Sequence, residues 1–263
     1  MPRAVAPDMR SRGYILLISH MRSHSSLLAH ILGSHPEIDG YSELHRRYDS
    51  RMDLREMTRR IEEATGRLRR GRYALDKLLH NAGHIDAAIL RRDDVEVVFL
   101  IRNPVDTIPS IVRTSRAVDP SLPVAAPEAA IDYYVARLER IGRYSEFMGE
   151  RAAFVESERL IDDTDAVLAR LTRYLGLATP LEPTYERFPL SGRPGHGDPS
   201  TNILAGRVLR DDERDRGTDE PVDIPAGPMS AAVAAYDALL LAMRATLPDD
   251  AQDRERRRGV GSA

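Results

Sequence analysis

The stretch GYILLISHMRSHSSLLAHIL, from Gly13 to Leu32, predicts the first unit of the fold. Its apolar run from Tyr14 to Ile18 has the length of a buried strand and is too short to span a membrane. A turn of small, hydroxyl and basic residues follows from Ser19 to Ser25. From Ser26 to Leu32 the apolar residues recur at helical spacing. A strand that passes through such a turn into a helix is a place where proteins bind phosphate.

The chemistry of this turn suits an anion. The first turn of a helix has unpaired backbone N–H groups and the positive end of the helix dipole. Arg22 adds a planar guanidinium that matches phosphate or sulfate oxygens, and Ser23, Ser25 and Ser26 add hydroxyl donors. The pattern G-x-x-x-x-G-K-[ST] of nucleoside triphosphatases is absent, which disfavours an ATP-dependent kinase. An ordinary first strand and helix of an α/β domain is the plain alternative.

Composition excludes several classes of protein. The 263 residues fit one domain, and 42% hydrophobic content can fill a core. The net charge of −3 argues against a nucleic-acid-binding protein, and the absence of cysteine excludes disulfide and thiolate chemistry. No long apolar run follows a basic start, so we expect a soluble, cytoplasmic protein without a membrane span. We expect one domain over residues 1–248 and a charged, disordered tail over 249–263.

Lys77 is the only lysine, although lysine and arginine together number 38. Arginine would serve wherever only positive charge is needed, whereas a compact ammonium on a flexible stem does a different job. Chance survival of one lysine is the alternative. We interpret the position as one with a special role.

Apolar runs alternate with helical patterns along the chain. The predicted strands are Tyr14 to Ile18, Tyr73 to Leu79, Val95 to Ile101 and Ala152 to Glu156, and Ile38 to Leu44 is predicted as a short strand or an extended loop. The predicted helices include segments within 46–70, 82–91, 129–147, 164–175 and 229–247, and one that begins at Pro104. This alternation predicts an α/β fold with a central parallel sheet and helices on both faces.

Four features lie at or beyond the ends of these strands: the turn with Arg22, then Glu43, Lys77 and Arg102. In parallel sheets, ligands gather beyond the carboxyl ends of the strands. The sequence therefore predicts that these residues form a single site.

Six segments together resemble sulfotransferases that use 3′-phosphoadenosine 5′-phosphosulfate as donor. They are HMRSHSSLL, GYSEL, the strand end at Lys77, FLIRNPVDTIPSIVR, FVESERLIDD with LTRYLGL, and RPGHGDPSTNILAG. The similarity covers roughly Tyr14 to Gly206 and is greater to the bacterial, carbohydrate and tyrosyl-protein branches than to the phenol sulfotransferases. It implies a P-loop-like sulfotransferase fold. It also implies sulfuryl transfer to a hydroxyl of a small-molecule or carbohydrate acceptor.

The resemblance implies donor-binding roles for the opening turn. In the family this loop binds the 5′-phosphosulfate, a role that falls to Arg22, Ser23, Ser25 and Ser26, with the backbone of His24. The usual family loop has glycine where His24 stands, and glycine tolerates positive φ better than histidine does.

The same resemblance implies the rest of the donor site. The family binds the 3′-phosphate through an arginine after a strand and a serine in the next helix, which here are Arg102 and Ser110. Ser200 looks like the family's late serine that contacts the donor's phosphates. Less specific assignments in that segment are Arg193, Asn202 and Gly206.

For catalysis the resemblance implies Glu43 as the base that takes the acceptor's proton, with His45 and His80 as alternatives. Lys77 and Arg22 would stabilise the leaving phosphate and the transferring group. The remaining histidines show no metal-ligand pattern, and this chemistry needs no metal.

Two other interpretations remain from the sequence: a non-catalytic module that binds the donor or 3′-phosphoadenosine 5′-phosphate, and, less well supported, a P-loop-type nucleotide kinase. The acceptor's identity does not follow from the residues, although segments 46–72, 117–129 and 182–197 are expected to shape its pocket. The helix over 229–247 either caps the core or pairs with a second copy, which leaves a homodimer open.

Overall fold

Five parallel strands form the central sheet of the computed structural model, which describes residues 13–65, 71–193, 198–215 and 221–246. The strands are β1 (Gly13–Ile18), β2 (Ile38–Asp39), β3 (Tyr73–Leu78), β4 (Val95–Ile101) and β5 (Ala153–Glu156). Their order across the sheet is β2-β3-β1-β4-β5. The predicted α/β fold with a parallel sheet is confirmed. The predicted tail over 249–263 lies outside the described residues.

Strand β1 is the centre of the sheet. It pairs with β3 on one side, where Leu17 lies beside Lys77, and with β4 on the other. All six of its residues are buried. Because successive side chains point to opposite faces, Ile15 and Leu17 pack in one core while Leu16 and Ile18 pack in the other. Burial on both faces explains its uninterrupted apolar run.

Helices cover both faces of the sheet. They are α1 (Ser25–Ser34), α2 (Arg51–Thr65), α3 (Ala87–Leu90), α4 (Pro104–Val118), α5 (Pro127–Met148), α6 (Ser157–Asp162), α7 (Thr164–Leu175) and α8 (Ala226–Thr246). Residues of α1, α6 and α7 pack on one face, and residues of α2, α3, α4, α5 and α8 pack on the other.

Local capping decides where several helices begin and end. Asn103 accepts a hydrogen bond from the Asp106 N–H at 2.9 Å, and Pro104 stands at the first helical position of α4. Gly176 ends α7 with φ of 58°. Helix α3 was predicted from residue 82, but the Asp86 side chain accepts from the N–H two residues along at 2.7 Å and starts the helix there.

Two further differences concern helix bounds. Helix α2 was predicted from residue 46 but begins at Arg51, because the Asp53 carboxylate accepts the N–H groups of Asp49 and Ser50 ahead of it. Helix α6 was not predicted. Its six residues are too few for a helical period to stand out from the sequence.

The connections place a crevice at the carboxyl edge of the sheet. The chain leaves β1 through α1 toward β2 on one side, and it leaves β4 toward β5 on the other. Where successive connections diverge in this way, the loops after the two strands separate and a ligand site opens between them. The turn after β1 and the turn after β4 therefore flank the expected site.

Helix α8 packs against α5. Ala232, Tyr236 and Met243 are buried in the core, while Leu241 is 73% exposed. Among the described residues, Ala226–Ala245 is the one helical segment long and apolar enough to cross a membrane, judged by length and composition alone. In this structure 17% of its most apolar stretch is buried. The buried residues are the ones that tie α8 to the domain.

Candidate functional site

The turn after β1 has an unusual backbone. Arg22 and His24 have φ of 60° and 64°, in the left-handed region. That conformation is costly for a residue other than glycine unless the surroundings hold it. The ring of His24 contacts Ser157 Oγ at 2.8 Å, and that hydroxyl donates to the Ser23 carbonyl oxygen at 2.8 Å. The contact of the His24 side chain with Ser157 thus helps to hold a left-handed backbone that glycine would adopt without strain.

Ser23 and Ser25 are both buried in this turn. Ser23 Oγ donates to the His20 carbonyl oxygen at 2.7 Å and lies 2.6 Å from Ser19 Oγ. Its hydroxyl therefore stabilises the turn itself, and only its backbone N–H is left to face a ligand. Ser25 is the first residue of α1, where the N–H groups of the first turn have no intrahelical partner.

Ser26 receives two hydrogen bonds at the start of α1. Lys77 Nζ donates to Ser26 Oγ at 3.0 Å, and the Asp198 N–H donates to the same oxygen at 2.9 Å. A hydroxyl oxygen has two acceptor positions, so both are used. The Ser26 O–H is then available only as a donor, and it has no acceptor among the described residues. A hydroxyl held in this way suits an anionic ligand.

Lys77 is 1% exposed, at the carboxyl end of β3. Burial lowers the pKa of its ammonium, although the negative charges of Glu43, Asp198 and Asp76 oppose the shift. A buried ammonium with a single hydroxyl as its hydrogen-bond partner among the described residues retains N–H groups for a ligand. The special role of the only lysine stays a prediction, and its burial at the strand end places it where a ligand could meet it.

Arg22 links the turn to α4 and to the late loop. Its Nε donates to Ser110 Oγ at 3.0 Å, and its Nη1 donates to Asp198 Oδ1 at 2.8 Å. Burial alone would raise the pKa of Asp198, but the Arg22 charge and the Ser200 N–H hold that pKa at about 2. Asp198 is therefore ionised at neutral pH and holds the guanidinium in position.

Arg102 lies at the turn after β4. Its Nη1 donates to the Arg22 carbonyl oxygen at 3.2 Å, and its N–H donates to His20 Nε2 at 3.0 Å. His20 must keep its proton on Nδ1, which contacts the Met21 carbonyl oxygen at 2.9 Å. Burial lowers the pKa of His20 to about 3, helped by the charges of Arg137 and Arg102. The neutral imidazole thus joins the two turns.

The late segment contributes Ser200, whose Oγ is buried and interacts with the Asp198 carboxylate without a hydrogen bond of good geometry to a described residue. The less specific assignments have structural contacts instead. Asn202 exchanges two hydrogen bonds with the backbone of Asp215, and the Gly206 carbonyl accepts from the Tyr185 N–H. Arg193 donates its N–H to the Leu190 carbonyl oxygen.

Glu43 lies in the loop after β2, nearly buried, between two imidazoles. Its Oε1 is 3.4 Å from His80 Nε2 and 3.7 Å from His45 Nδ1. The His45 and His80 side chains are 52% and 41% exposed, whereas that of Glu43 is 7% exposed. Burial lowers the pKa of His80 against the opposing charge of Glu43. The carboxylate is thus close to groups that can carry a proton to solvent.

Asp76 holds the Glu43 loop in place, a role that the sequence analysis missed. Its two carboxylate oxygens accept from the Leu44 N–H at 2.9 Å and the Tyr48 hydroxyl at 2.6 Å. It is fully buried, and burial raises its pKa to about 6. The available signal was an aspartate inside the apolar strand sequence YALDKLL, next to Lys77.

Arg137 was also missed. It is fully buried on α5, and it donates to the Ser19 carbonyl oxygen at 2.7 Å and the Leu78 carbonyl oxygen at 2.5 Å. It therefore satisfies the carbonyl group just past the end of β1 and the last carbonyl group of β3, and it adds positive charge beneath the site. The sequence does contain a sign of this role, because the helical spacing puts Arg137 on the buried, apolar face of α5, with Tyr134 and Ile141.

The structure brings most of the predicted residues into one network at the carboxyl edge. Direct hydrogen bonds connect Lys77, Ser26, Asp198, Arg22, Ser110, Arg102 and Ser200. Glu43 is within electrostatic range of Lys77. Ser23, Ser25 and His24 form the turn on which the network is built. The arrangement offers an anion several hydroxyls, an ammonium, two guanidinium groups and a helix N-terminus.

Comparisons with known proteins give the family and the fold. The model of a family described as "Sulfotransferase family" matches residues 45–181, just over half of the chain. The match includes Lys77, Arg102 and Ser110 but not the opening turn or Glu43. No curated protein matches the chain.

Solved structures give the fold. A sulfotransferase domain from the curacin biosynthetic pathway has a TM-score of 0.54 and 17% identity, covering 87% of this chain and 98% of that one. A sulfotransferase domain from the Synechococcus PCC 7002 olefin synthase has a TM-score of 0.55 and 17% identity, covering 88% and 97%. The predicted P-loop-like sulfotransferase fold is confirmed.

Proposed function

The chain belongs to the sulfotransferase family, and we propose that it transfers a sulfuryl group from 3′-phosphoadenosine 5′-phosphosulfate to a hydroxyl of a small-molecule or carbohydrate acceptor. The observation that carries this proposal is the pair formed by Lys77 and Ser26 at the first turn of α1. There a buried ammonium turns a serine hydroxyl into an obligatory donor. That combination favours an anion held against a helix N-terminus.

The second end of the donor is assigned to Arg102 and Ser110. Ser110 Oγ accepts from Arg22 Nε, so its own O–H is available to donate, and the Arg102 guanidinium lies against the same turn. A 3′-phosphate would receive charge-assisted hydrogen bonds from both. Ser200 Oγ, buried beside the Asp198 carboxylate, is the proposed further contact to a phosphate oxygen.

In the proposed transfer, the acceptor oxygen forms a bond to sulfur as the bond from sulfur to the phosphate oxygen breaks. Glu43 takes the proton of the acceptor hydroxyl. The leaving group, 3′-phosphoadenosine 5′-phosphate, gains negative charge on the oxygen it keeps, and Lys77 and Arg22 stabilise that charge. Electrostatic stabilisation of this kind contributes most of the rate in the related phosphoryl transfers.

Glu43 is preferred as the base because it is the buried member of its cluster and has Lys77 close by. A general base contributes about 10²- to 10⁴-fold. His80 and His45 remain the alternatives, and their exposure suits them better to pass the proton on to solvent.

The alternatives from the sequence are less well supported. A nucleotide kinase lacks support because the opening turn has neither the glycines nor the lysine of that motif. A non-catalytic module would not need Glu43 and Lys77 beside the anion site. We retain as proposals the bacterial, carbohydrate or tyrosyl-protein-like branch, a soluble cytoplasmic enzyme and a homodimer.

The test is an assay of purified protein with labelled donor and a panel of hydroxyl acceptors. We expect transfer by the wild type and a fall in kcat of about 10²- to 10⁴-fold for Glu43→Gln. The matched control is Glu146→Gln, at an exposed position on α5, which should transfer at the wild-type rate. Tight binding of 3′-phosphoadenosine 5′-phosphate without transfer to any acceptor would favour the non-catalytic module instead.

A further inference from the structure

Three side chains of the Glu43 cluster present ligand atoms to one point. Glu43, His45 and His80 each offer one ligand atom, and these three atoms lie within 4.8 Å of one another. Two of the separations are 3.4 Å, from Glu43 Oε1 to His80 Nε2, and 3.7 Å, from Glu43 Oε1 to His45 Nδ1. A tetrahedral zinc ion with bonds of about 2.0–2.2 Å holds its ligand atoms about 3.3–3.6 Å apart. The observed separations are therefore close to those of a bound ion.

The ligand types also point to a transition metal. Two imidazoles and one carboxylate are a donor set for zinc and related ions, whereas Mg²⁺ and Ca²⁺ prefer oxygen ligands. The set comes from two loops, after β2 and after β3, and Asp76 on β3 fixes the first of them by accepting from the Leu44 N–H. The cluster is thus partly preorganised before any ion arrives.

The exposure of the two histidines leaves room for closure and for a fourth ligand. Their rings lie 5.8 Å apart between centroids and are inclined by 29°. Both side chains are about half exposed, so a small rotation can bring their nitrogens together, and water can complete the coordination. His45 has φ of 52°, a strained conformation of the kind found at ligand sites.

We propose that Glu43, His45 and His80 form a binding site for Zn²⁺, and that zinc bound there blocks sulfuryl transfer. The inhibition rests on the proposed function, because a carboxylate bound to zinc cannot take the acceptor's proton. The binding itself does not depend on that function. Zinc and an acceptor hydroxyl would compete for the same carboxylate oxygen.

The experiment measures zinc binding directly on the full chain, without an affinity tag and after treatment with a chelator. Calorimetric titration with ZnCl₂ should show one equivalent bound by the wild type, and MgCl₂ should show none. Substitution with Co²⁺ should give the visible absorption of a tetrahedral nitrogen and oxygen site. His45→Ala and His80→Ala should each weaken zinc binding at least about tenfold, the lower end of the loss caused by disturbing a metal site.

His84→Ala is the matched control. Its side chain is 41% exposed and lies 3.9 Å from the Asp49 carboxylate, so it reproduces a surface histidine beside an acid without the third ligand. It should bind zinc like the wild type. Thermal unfolding of each metal-free variant checks that the fold is retained. If the wild type binds no zinc, or if both His45→Ala and His80→Ala bind it with wild-type affinity, the site does not exist.

A second arm measures sulfuryl transfer with increasing zinc. Wild type and His84→Ala should be inhibited at the concentrations that saturate the site, and His45→Ala should need at least about tenfold more zinc. Binding without inhibition of a transferring enzyme would overturn the blocking role. A protein that binds zinc but transfers no sulfate even when metal-free would contradict the proposed function and leave the zinc site standing.

Discussion

Lys77 Nζ lies 3.0 Å from Ser26 Oγ, and this contact joins the end of β3 to the first turn of α1. The two residues are 51 positions apart in the chain, and the parallel pairing of β1 with β3 brings them together. Since Asp198 donates to the same oxygen, the ammonium, the hydroxyl and the late loop are held in one arrangement before a ligand binds. Such preorganisation is what electrostatic stabilisation of a leaving group requires.

We expect Lys77→Met to lower kcat for sulfuryl transfer by about 10²- to 10³-fold, the effect of removing one preorganised donor from a developing charge. Methionine fills a similar volume, so the fold should persist. The loss should fall on kcat more than on KM, because the charge develops in the transition state. Steady-state kinetics measure this, with Arg60→Met as a control at a half-exposed cation of α2. An unchanged kcat would remove Lys77 from the mechanism.

Recognition of the 3′-phosphate gives a prediction about binding. Calorimetry should show that the wild type binds 3′-phosphoadenosine 5′-phosphate more tightly than AMP. Ser110→Ala should reduce that discrimination about 10- to 100-fold, since a hydrogen bond to a charged group contributes about 1.5–3 kcal/mol. Ser115→Ala, on the same helix, should retain it. Equal affinity of the wild type for the two nucleotides would contradict the roles of Arg102 and Ser110.

His24 gives a prediction about stability. His24→Gly loses the contact with Ser157 but relieves the positive φ, whereas His24→Ala loses the contact and keeps the strain. The free energy of unfolding should therefore be lower for His24→Ala than for His24→Gly by about 1 kcal/mol. Urea denaturation measures both. Equal stability of the two variants would mean that the turn does not keep its left-handed backbone.

The buried imidazole of His20 predicts a loss of stability in acid. Burial lowers its pKa from 6.5 to about 3, and the facing groups are Arg102, Arg137 and the Tyr134 ring. Its contribution is therefore complete above pH 6.5 and declines as the pH falls toward 3. One such group accounts for about 2 kcal/mol of the unfolding free energy lost between pH 7 and pH 5.

The variant for this test is His20→Gln, whose amide oxygen can accept from the Arg102 N–H but does not titrate. Its unfolding free energy should fall less steeply with decreasing pH than that of the wild type. His84→Gln, at a half-exposed histidine, should keep the wild-type slope. An identical slope for His20→Gln and wild type would mean that His20 is hydrated in the native state.

Much of the fold could be predicted because most of its strands are apolar runs that are recognisable in the sequence. β4 was predicted with the observed bounds, and β1, β3 and β5 to within one residue, since each is an apolar run buried on both faces. Helix ends were predicted well where a proline or glycine marks them, as at Pro104 and Gly176. The starts of α2 and α3 are set by hydrogen bonds of the Asp53 and Asp86 side chains. The chain contains many other aspartates, so an aspartate by itself does not mark the start of a helix.

The candidate site was predicted in part. The residues that follow strands could be named from the sequence, because parallel strands bring their carboxyl ends to one edge. Asp76, Arg137 and Asp198 were not predicted as site residues, because their roles come from hydrogen bonds to residues far away in the chain. Asp76 binds a backbone group 32 residues earlier in the chain, and Asp198 binds a side chain 176 residues away.

The sequence by itself determined the parallel α/β sheet and the set of residues that lie at one edge, and it predicted that the turn after β1 binds an anion. Hydrophobic period and residue type are local properties, and they suffice for that. The tertiary structure decided which atoms meet. It directed the Ser23 hydroxyl to the His20 carbonyl oxygen within the turn, and it left the Ser26 hydroxyl as a donor because Lys77 donates to its oxygen. It also placed the Glu43 carboxylate between two histidines. Those are contacts between distant segments, and only the packing of the chain fixes their distances and directions.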